Sequence, residues 1–300
     1  MKKISIIGVP MDLGQTRRGV DMGPSAMRYA GIIERLERLH YEIEDLGDIS
    51  IGKAERSDDE ELRLNLRNLK AIAEINEKLA EMVDDVVQRG RFPLVLGGDH
   101  SIAIGTLAGV AKHYQNLGVI WYDAHGDLNT AETSPSGNIH GMSLAVSLGL
   151  GHPHLTNIGG YSPKVKPENI VLIGVRSLDE GEKRLIHDKG IKVYTMHEVD
   201  RLGMTTVMQE TIAYLKGQTD GVHLSLDLDG MDPHDAPGVG TPVIGGLTYR
   251  ESHLAMEMLA EAQLITSAEF VEVNPILDER NKTASVAVGL IGSLFGEKLV

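Results

Sequence analysis

The sequence of 300 residues contains no cysteine. This absence excludes disulfide scaffolds, zinc sites built on thiolates, iron–sulfur clusters and mechanisms that use a cysteine nucleophile. Aromatic residues make up only 4% of the chain, but the hydrophobic share of 42% is ordinary for a globular protein, so a disordered or fibrous chain is excluded. Positive charge is also scarce, because 29 Lys and Arg residues face 43 Asp and Glu residues and leave a net charge of −14.

Two further absences bear on partners and location. The negative net charge argues against the clustered basic side chains that bind nucleic acids or anionic membranes, so we expect neither as a partner. The first apolar run covers only residues 4–9, which is too short for a signal peptide, and no later run approaches the roughly 18 apolar residues of a membrane span. We therefore predict a cytoplasmic protein.

Apolar runs rich in β-branched residues alternate with amphipathic patterns along the whole chain. Most of these runs lack polar alternation, as is typical of parallel strands that are buried on both faces. The predicted strands are residues 4–9, 93–96, 117–122, 170–175, 191–194, 222–228 and 265–273. The predicted helices are residues 24–39, 58–89, 101–114, 181–189, 205–216, 249–262 and 283–298. This alternation predicts an α/β fold with a doubly wound, mainly parallel sheet.

The longest helical pattern, residues 58–89, has hydrophobic residues at three- and four-residue steps and stops at Gly90. A helix packed on the sheet is the preferred interpretation, and a coiled-coil arm is the alternative. No linker, low-complexity tract or internal repeat interrupts the sequence. We therefore expect one domain over residues 1–300, although the length alone also allows two.

Acidic residues and histidines concentrate in three segments that follow predicted strands, namely GGDHS at 97–101, DAHGD at 123–127 and SLDLDG at 225–230. In open α/β sheets the carboxyl ends of the strands line the ligand crevice, so we expect the segments to converge there. If the strands continue through the second and third segments, the two-residue spacing projects their Asp and His side chains to one side of the strand. The candidate ligands are His100, Asp123, His125, Asp127, Asp227 and Asp229. His223 shares a face with Asp227 but is interpreted as a packing residue.

The four carboxylates of this set require cationic partners, because unpaired buried charges cost several kcal/mol or are neutralised. Two divalent ions balance the four carboxylates, whereas one ion leaves two negative charges uncompensated. Carboxylate and imidazole ligands without thiolate suit Mn²⁺, although zinc, cobalt and nickel accept the same donors. Two metals about 3.5–4 Å apart can bridge a water molecule and activate it. We therefore predict a binuclear site that catalyses hydrolysis through a metal-bridging hydroxide.

The three motifs, in this order, resemble those of the ureohydrolase family, which includes arginase and agmatinase. The resemblance extends from Gly23-Pro24 to residues 272–275 and includes APGVGTP at 236–242. It implies a three-layer α/β/α fold with a central, mainly parallel sheet, and assembly as a homotrimer or homohexamer. It also implies two Mn²⁺ per subunit, one held by His100, Asp123, Asp127 and Asp227 and the other by His125, Asp123, Asp229 and Asp227.

The segment SGNIHG at 136–141 is similar to the arginase branch of this family in particular. The resemblance implies hydrolysis of L-arginine to L-ornithine and urea. Asp127 would orient the hydroxide and relay its proton, and His140 would shuttle protons to solvent. The implied substrate contacts are Asn129, Ser136 and Asn138 to the α-carboxylate, Asp179 and Glu182 to the α-amino group, and Glu272 to the guanidinium.

Three alternative functions stay open. An agmatinase or another guanidino-acid ureohydrolase would share the metals, but agmatine lacks the carboxylate that the 136–141 segment is expected to bind. A binuclear phosphoesterase would require Lys or Arg near the metals, and the three segments contain neither. A non-catalytic metal-binding protein would leave the predicted substrate contacts without a role.

Overall fold

The computed structural model describes residues 3–52 and 59–298. Within them the chain forms the strands β1 (Lys3–Val9), β2 (Glu42–Asp48), β3 (Phe92–Gly97), β4 (Leu117–Tyr122), β5 (Ile170–Val175), β6 (Lys192–Thr195), β7 (Gly221–Asp227) and β8 (Ile265–Val271). The helices are α1 (Gly23–Tyr29), α2 (Ile32–Arg38), α3 (Asp59–Arg63), α4 (Leu69–Gln88), α5 (Ala103–Val110), α6 (Ser143–Ser147), α7 (Pro153–Thr156), α8 (Glu180–Lys189), α9 (Met196–Leu202), α10 (Met204–Lys216), α11 (Tyr249–Ala262) and α12 (Lys282–Leu294). Short 3₁₀ turns include His100–Ile102, Ile139–Met142 and Leu228–Gly230.

The strands form one eight-stranded sheet in the order β2-β1-β3-β8-β7-β4-β5-β6. Every neighbouring pair is parallel. The last strand of the chain, β8, therefore lies in the middle of the sheet, between β3 and β7. Because all strands run in one direction, the carboxyl ends of β3, β8, β7 and β4 lie side by side at one edge, which is where α/β folds bind ligands.

The sheet is buried on both faces, which explains the continuous apolar runs. On β4, Ile120 and Tyr122 belong to one hydrophobic cluster, whereas Val119 and Trp121 belong to a second cluster on the opposite face. The helices α1, α2 and α9–α12 contribute to the first cluster, and α4–α7 contribute to the second. The predicted three-layer α/β/α fold is thus confirmed. In the described part of the chain, no helix combines the length and apolar composition needed to cross a membrane.

Two of the predicted helices are interrupted. The pattern at 24–39 divides into α1 and α2 at Gly31, where φ is +87°. The pattern at 58–89 divides into α3 and α4 at Asn65 and Asn68, which have φ of +55° and +56°; residue 58 lies outside the described part. The prediction of continuous helices was wrong because left-handed residues end a right-handed helix. The stripe of α4, including Leu79 and Val83, packs into the second cluster, as the preferred interpretation expected.

The edge strand β2 was not predicted. Its sequence EIEDLGD carries four acidic residues, and among the described strands it pairs only with β1. Arg28 and Arg91 neutralise part of this charge through contacts with Asp45 and Glu42. Charged side chains are a common protection of edge strands, and they erase the apolar pattern by which the buried strands were predicted.

Candidate metal centre

The three acidic segments and Glu272 meet where the four central strands end. His100 follows β3 in a 3₁₀ turn, Asp123 follows β4, Asp227 ends β7, and Glu272 follows β8. Gly98 packs so closely on the backbone of Met11 that any Cβ would overlap its carbonyl oxygen. The Gly-Gly pair thus allows the chain to turn tightly and present His100 to the site.

Turns, rather than strand alternation, orient these side chains. The strand β4 ends at Tyr122, as predicted, so strand alternation does not extend to residues 123–127. The amide of His125 donates to Asp123 Oδ1 at 2.7 Å, and Asp127 adopts a left-handed conformation with φ of +51°. The Asp127 carbonyl accepts from the amides of Leu144 and Ala145, which lie in the first turn of α6. The short helix therefore anchors the Asp127 backbone.

Three aspartates surround the Nδ1 atom of His100. Together with that histidine they form the inner group: His100, Asp123, Asp127 and Asp227. His100 Nδ1 lies 3.1 Å from an Oδ2 atom of each aspartate. Although buried, this nitrogen has no aligned hydrogen-bond partner among the described residues. Ligand atoms that each lie about 2.1 Å from a shared ion, at right angles to one another, are about 3 Å apart. The spacing therefore fits a metal ion better than a hydrogen bond.

Asp123, His125 and Asp229 form a second set of ligands, called here the outer group. His125 Nδ1 lies 3.2 Å from Asp229 Oδ2 and 3.4 Å from Asp123 Oδ1. Thr241 Oγ1 donates to Asp229 Oδ2 at 2.7 Å. The donor atoms of the outer group lie close enough together to hold one ion. The donor atoms of His100, Asp123 and Asp227 lie close enough together to hold another. Because Asp123 belongs to both groups, the geometry fits two adjacent ions.

The electrostatics of both groups favour cations. Burial and the charges of Asp229 and Asp123 raise the pKa of Asp227 well above its ordinary value. Burial and Asp123 raise the pKa of Asp229 to about 6. Burial disfavours charged His125, but Asp229 and Asp123 raise its pKa to about 12. Carboxylates crowded in this way need positive charge beside them in order to ionise together, and divalent ions would supply that charge.

Neighbouring side chains hold the inner group in place. The rings of His100 and Trp121 stack with centroids 4.2 Å apart and planes at 6°. Trp121 Nε1 donates to Asp123 Oδ2 at 3.1 Å, and His100 Nε2 lies 2.7 Å from Ser225 Oγ. Such contacts fix the orientation of metal ligands. Their removal often lowers the affinity for the metal 10- to 100-fold, a free-energy change similar to that of losing a hydrogen bond to a charged group.

The outer group is held mainly through the backbone. The guanidinium of Arg176 donates to the carbonyls of Asp229 at 2.8 Å, Gly230 at 3.0 Å and Val243 at 2.7 Å. The half-buried guanidinium of Arg176 thus connects the turn that carries Asp229 to the loop that contains Val243. The planar guanidinium suits several carbonyls at once, which a lysine cannot reproduce.

A cavity of about 210 Å³ opens onto the metal centre. Asn129 Nδ2 donates to Asp179 Oδ2 at 2.8 Å, and the amide of Asp179 donates to Glu182 Oε2 at 2.8 Å. Burial raises the pKa of Glu182 to about 7. The buried Oδ1 of Asn138 has no partner among the described residues. The predicted site residues that line the cavity are His125, Asp127, Asn129, Ser136, Asn138, His140, Asp179, Glu182, Asp227 and Asp229.

Glu272 is fully buried behind the cavity wall. Its carboxylate accepts from the amide of His100 at 3.0 Å and from Gln15 Nε2 at 2.8 Å. His140 Nδ1, which lies 3.4 Å from Glu272 Oε1, belongs to a residue that does line the cavity. Burial disfavours charged His140, but Glu272 raises its pKa to about 9. The structure therefore places Glu272 in contact with the cavity through His140.

Comparison with known proteins identifies the family. A sequence model described as "Arginase family" matches residues 2–296. The chain belongs to the arginase family. The arginase of Bacillus caldovelox is 86% identical over 300 residues, which cover 100% of both chains, and that of Bacillus subtilis (strain 168) is 69% identical over 299 residues, covering 100% of this chain and 99% of the relative. This confirms the predicted family, and the protein is a hydrolase.

The solved structures agree with the sequences. The native structure of the Bacillus caldovelox arginase at pH 5.6 has a TM-score of 0.98 to this chain, with 85% sequence identity and coverage of 100% of both chains. This similarity confirms the arginase-like fold that the sequence predicted.

Several residues of this arginase-family site were not singled out from the sequence. Ser225 precedes Asp227 by two positions on β7, and Thr241 lies in the quoted 236–242 segment, so both carried a local signal. Gln15 carried none, because it is separated from its partner Glu272 by 257 positions. Arg176 was not singled out either, since contacts with carbonyl groups leave no pattern in a sequence.

Proposed function

We propose that this protein hydrolyses the guanidinium group of L-arginine to give L-ornithine and urea, with two Mn²⁺ ions as cofactors. The observation that carries the proposal is the pair of ligand groups that share Asp123 at the base of a cavity lined by carboxylates and amides. One ion would be held by His100, Asp123, Asp127 and Asp227, and the other by His125, Asp123, Asp227 and Asp229.

The metal ions and the cavity carboxylates have different tasks in this proposal. When bound, two divalent ions supply Lewis acidity that lowers the pKa of a water molecule toward about 7 and so generates a nucleophile. Carboxylate-rich donors without thiolate favour Mn²⁺ as the ion. Asp127 belongs to the inner group and also lines the cavity. Its carboxylate would therefore accept the proton of the attacking water and pass it to the departing amine.

The polar lining of the cavity suits the amino-acid end of L-arginine. The carboxylates of Asp179 and Glu182 attract the α-ammonium group, and hydrogen bonds to Asn129 and to backbone amides hold both in place. Ser136 and Asn138 offer a hydroxyl and an amide to the α-carboxylate. Agmatine lacks this carboxylate and would leave those donors without a partner, which favours L-arginine over agmatine.

Glu272 and His140 act at the inner end of the substrate. Glu272 does not itself line the cavity, so its negative charge would attract and orient the guanidinium from behind His140. His140 carries a raised pKa and faces the cavity, so it can exchange protons between the site and solvent.

The proposal extends to the organisation of the protein. We assign residues 1–300 to one catalytic domain, because a single sheet collects strands from Lys3 to Val271. We also propose a cytoplasmic homotrimer or homohexamer that binds neither nucleic acid nor membrane. The net charge of −14 supports the absence of these anionic partners, and it raises the local concentration of a cationic substrate.

Parallel assays of urea release from L-arginine and from agmatine test the proposal. The protein is stripped with a chelator and reloaded with Mn²⁺, and an unloaded sample serves as the control. We expect metal-dependent turnover of L-arginine and little turnover of agmatine. Turnover of agmatine alone would retain the metal chemistry and overturn the substrate, whereas turnover of neither compound would overturn the proposal and direct attention to other guanidino acids and to phosphate esters.

A further inference from the structure

A column of buried polar side chains leads from the inner group into the core between β7 and β8. His100 Nε2 lies 2.7 Å from Ser225 Oγ, which in turn donates to Glu269 Oε1 at 2.7 Å. Beyond Glu269, His223 Nε2 lies 3.4 Å from the same oxygen, and His223 Nδ1 lies 2.9 Å from Ser267 Oγ. All five side chains are fully buried. We call Ser225, Glu269, His223 and Ser267 the Glu269 column.

Strand register produces this column. Ser225 on β7 is the register partner of Glu269 on β8, and His223 is the partner of Ser267. Within the described residues, the only ion pair recorded for Glu269 is with His223. Burial raises the pKa of Glu269, but the neighbouring His223 lowers it below its ordinary value overall. A buried, ionised carboxylate without Lys or Arg costs several kcal/mol, and packing alone does not account for its presence.

The hydrogens of the column can be assigned by counting donors. An ionised carboxylate only accepts hydrogen bonds, so the single hydroxyl proton of Ser225 points to Glu269. Ser225 Oγ must then accept from His100 Nε2, which therefore carries a proton. A neutral His100 in this arrangement keeps an unprotonated Nδ1, the atom that faces the three aspartates. Metals bind the unprotonated nitrogen of an imidazole.

We propose that Glu269 is a positioning residue that acts through Ser225 to fix the tautomer and ring orientation of His100 for metal binding. The inference rests on the metal site of the proposed function and deepens it. His223 then has a role beyond the packing role expected from the sequence, because it is the partner that keeps Glu269 charged in the core.

The test is Mn²⁺ binding to metal-free protein, measured by isothermal titration calorimetry, with Glu269→Gln as the first variant. The amide can donate to Ser225, which lets the hydroxyl point to His100 Nε2 and stabilises the tautomer with a proton on Nδ1. We expect the affinity of one of the two ions to fall about 10- to 100-fold. The affinity of the other ion should change less than about twofold, because a purely local perturbation leaves the outer group intact.

Two further variants separate positioning from general destabilisation. Ser267→Ala removes a hydrogen bond at the far end of the column without touching Ser225, so it should leave both Mn²⁺ affinities unchanged. In a Ser225→Ala background, Glu269→Gln should have no additional effect on binding, because the link through which Glu269 acts is already missing. The proposal would be overturned if Ser267→Ala lost as much Mn²⁺ affinity as Glu269→Gln does. It would also be overturned if the effects of Ser225→Ala and Glu269→Gln on Mn²⁺ affinity were additive.

A measurement on the unmodified protein covers the case in which Glu269→Gln does not fold. With ¹⁵N-labelled histidine and Zn²⁺ as a diamagnetic probe, the spectrum should show a slowly exchanging proton on His100 Nε2, assigned by its loss in Ser225→Ala. A proton on Nδ1 would overturn the proposal. If the unmodified protein fails to bind two Mn²⁺ per chain, the proposed function fails; if it binds two and Glu269→Gln binds them equally well, only the positioning role fails.

Discussion

The two ligand groups share Asp123, yet they belong to different surroundings. The side chain of His100 is 1% exposed and stacks on Trp121, whereas that of His125 is 26% exposed and lines the cavity. His100 of the inner group is thus continuous with the hydrophobic core, whereas His125 of the outer group is part of the cavity wall. Packing fixes ligands in a core more rigidly than hydrogen bonds to loops do. We therefore expect the inner ion to bind more tightly and to exchange more slowly than the outer ion.

Removing the residue common to both groups should have the largest effect. In Asp123→Ala we expect both ions to be lost and turnover to fall by about 10³-fold or more, which corresponds to roughly 4 kcal/mol of lost transition-state stabilisation. Metal content per chain by mass spectrometry and urea release by colorimetry check this. Asp188→Ala, which removes an exposed carboxylate, serves as the control. Retention of one ion at full occupancy would show that the groups do not depend on Asp123 equally.

Removing a ligand from one group should separate the two. Asp229→Ala should weaken the outer ion by about 10²-fold or more while the inner ion changes only a few-fold, because Asp229 is the partner of His125 rather than of His100. Calorimetric titration of metal-free protein with Mn²⁺ gives both affinities. Asp127→Ala is the matched variant and should show the reverse preference. Equal weakening of both ions by Asp229→Ala would argue against separable sites.

Metal removal should also lower thermal stability. The crowded carboxylates of both groups repel each other without cations, and ions that bind only the folded state stabilise it by mass action. After chelation and removal of the chelator, we expect Tm to fall by about 5–10 °C and to recover when Mn²⁺ is added. Scanning calorimetry measures this, and Asp123→Ala should show no response to the chelator. An unchanged melting curve after verified metal loss would contradict a shared buried site.

Weakening the contacts that support the outer group should have a smaller effect on metal binding than removing a ligand. Arg176→Lys should destabilise the fold by about 2 kcal/mol and weaken the outer ion about tenfold, because an ammonium cannot replace the fork that holds the carbonyls of Asp229, Gly230 and Val243. The inner ion should be unaffected. Chemical denaturation and Mn²⁺ titration measure the two effects, with exposed Arg184→Lys as the control. Equal weakening of both ions would mean that the outer group is as firmly tied to the core as the inner group.

The sequence predicted those features that depend on local pattern. Buried parallel strands leave uninterrupted apolar runs, and ligands that follow strand ends leave dense acidic motifs, so the sheet and the positions of His100, Asp123 and Asp227 could be predicted. The edge strand β2 could not, because its acidic residues resemble those of a loop. The orientation of Asp127 was missed as well, because a turn with positive φ, rather than strand alternation, sets it.

Contacts between distant segments escaped prediction for a different reason. The link from Ser225 to Glu269 depends on the register of β7 against β8, and Gln15 reaches Glu272 only after the sheet is assembled. Neither relation has a periodicity that a single sequence displays. The left-handed Gly31 and Asn68 were likewise invisible, since their residue types are also tolerated inside helices at a modest cost.

The central place of β8 has a consequence for the newly synthesised chain. Until residues 265–271 leave the ribosome, the order of the strands divides the sheet into β2-β1-β3 and β7-β4-β5-β6, and the facing edges of β3 and β7 have no partner. Unpaired central edges are sites of aggregation. The addition of β8 therefore closes the sheet and brings together the strand ends that carry the metal ligands, so a chain terminated before Ile265 gains neither the closed sheet nor the intact binding site.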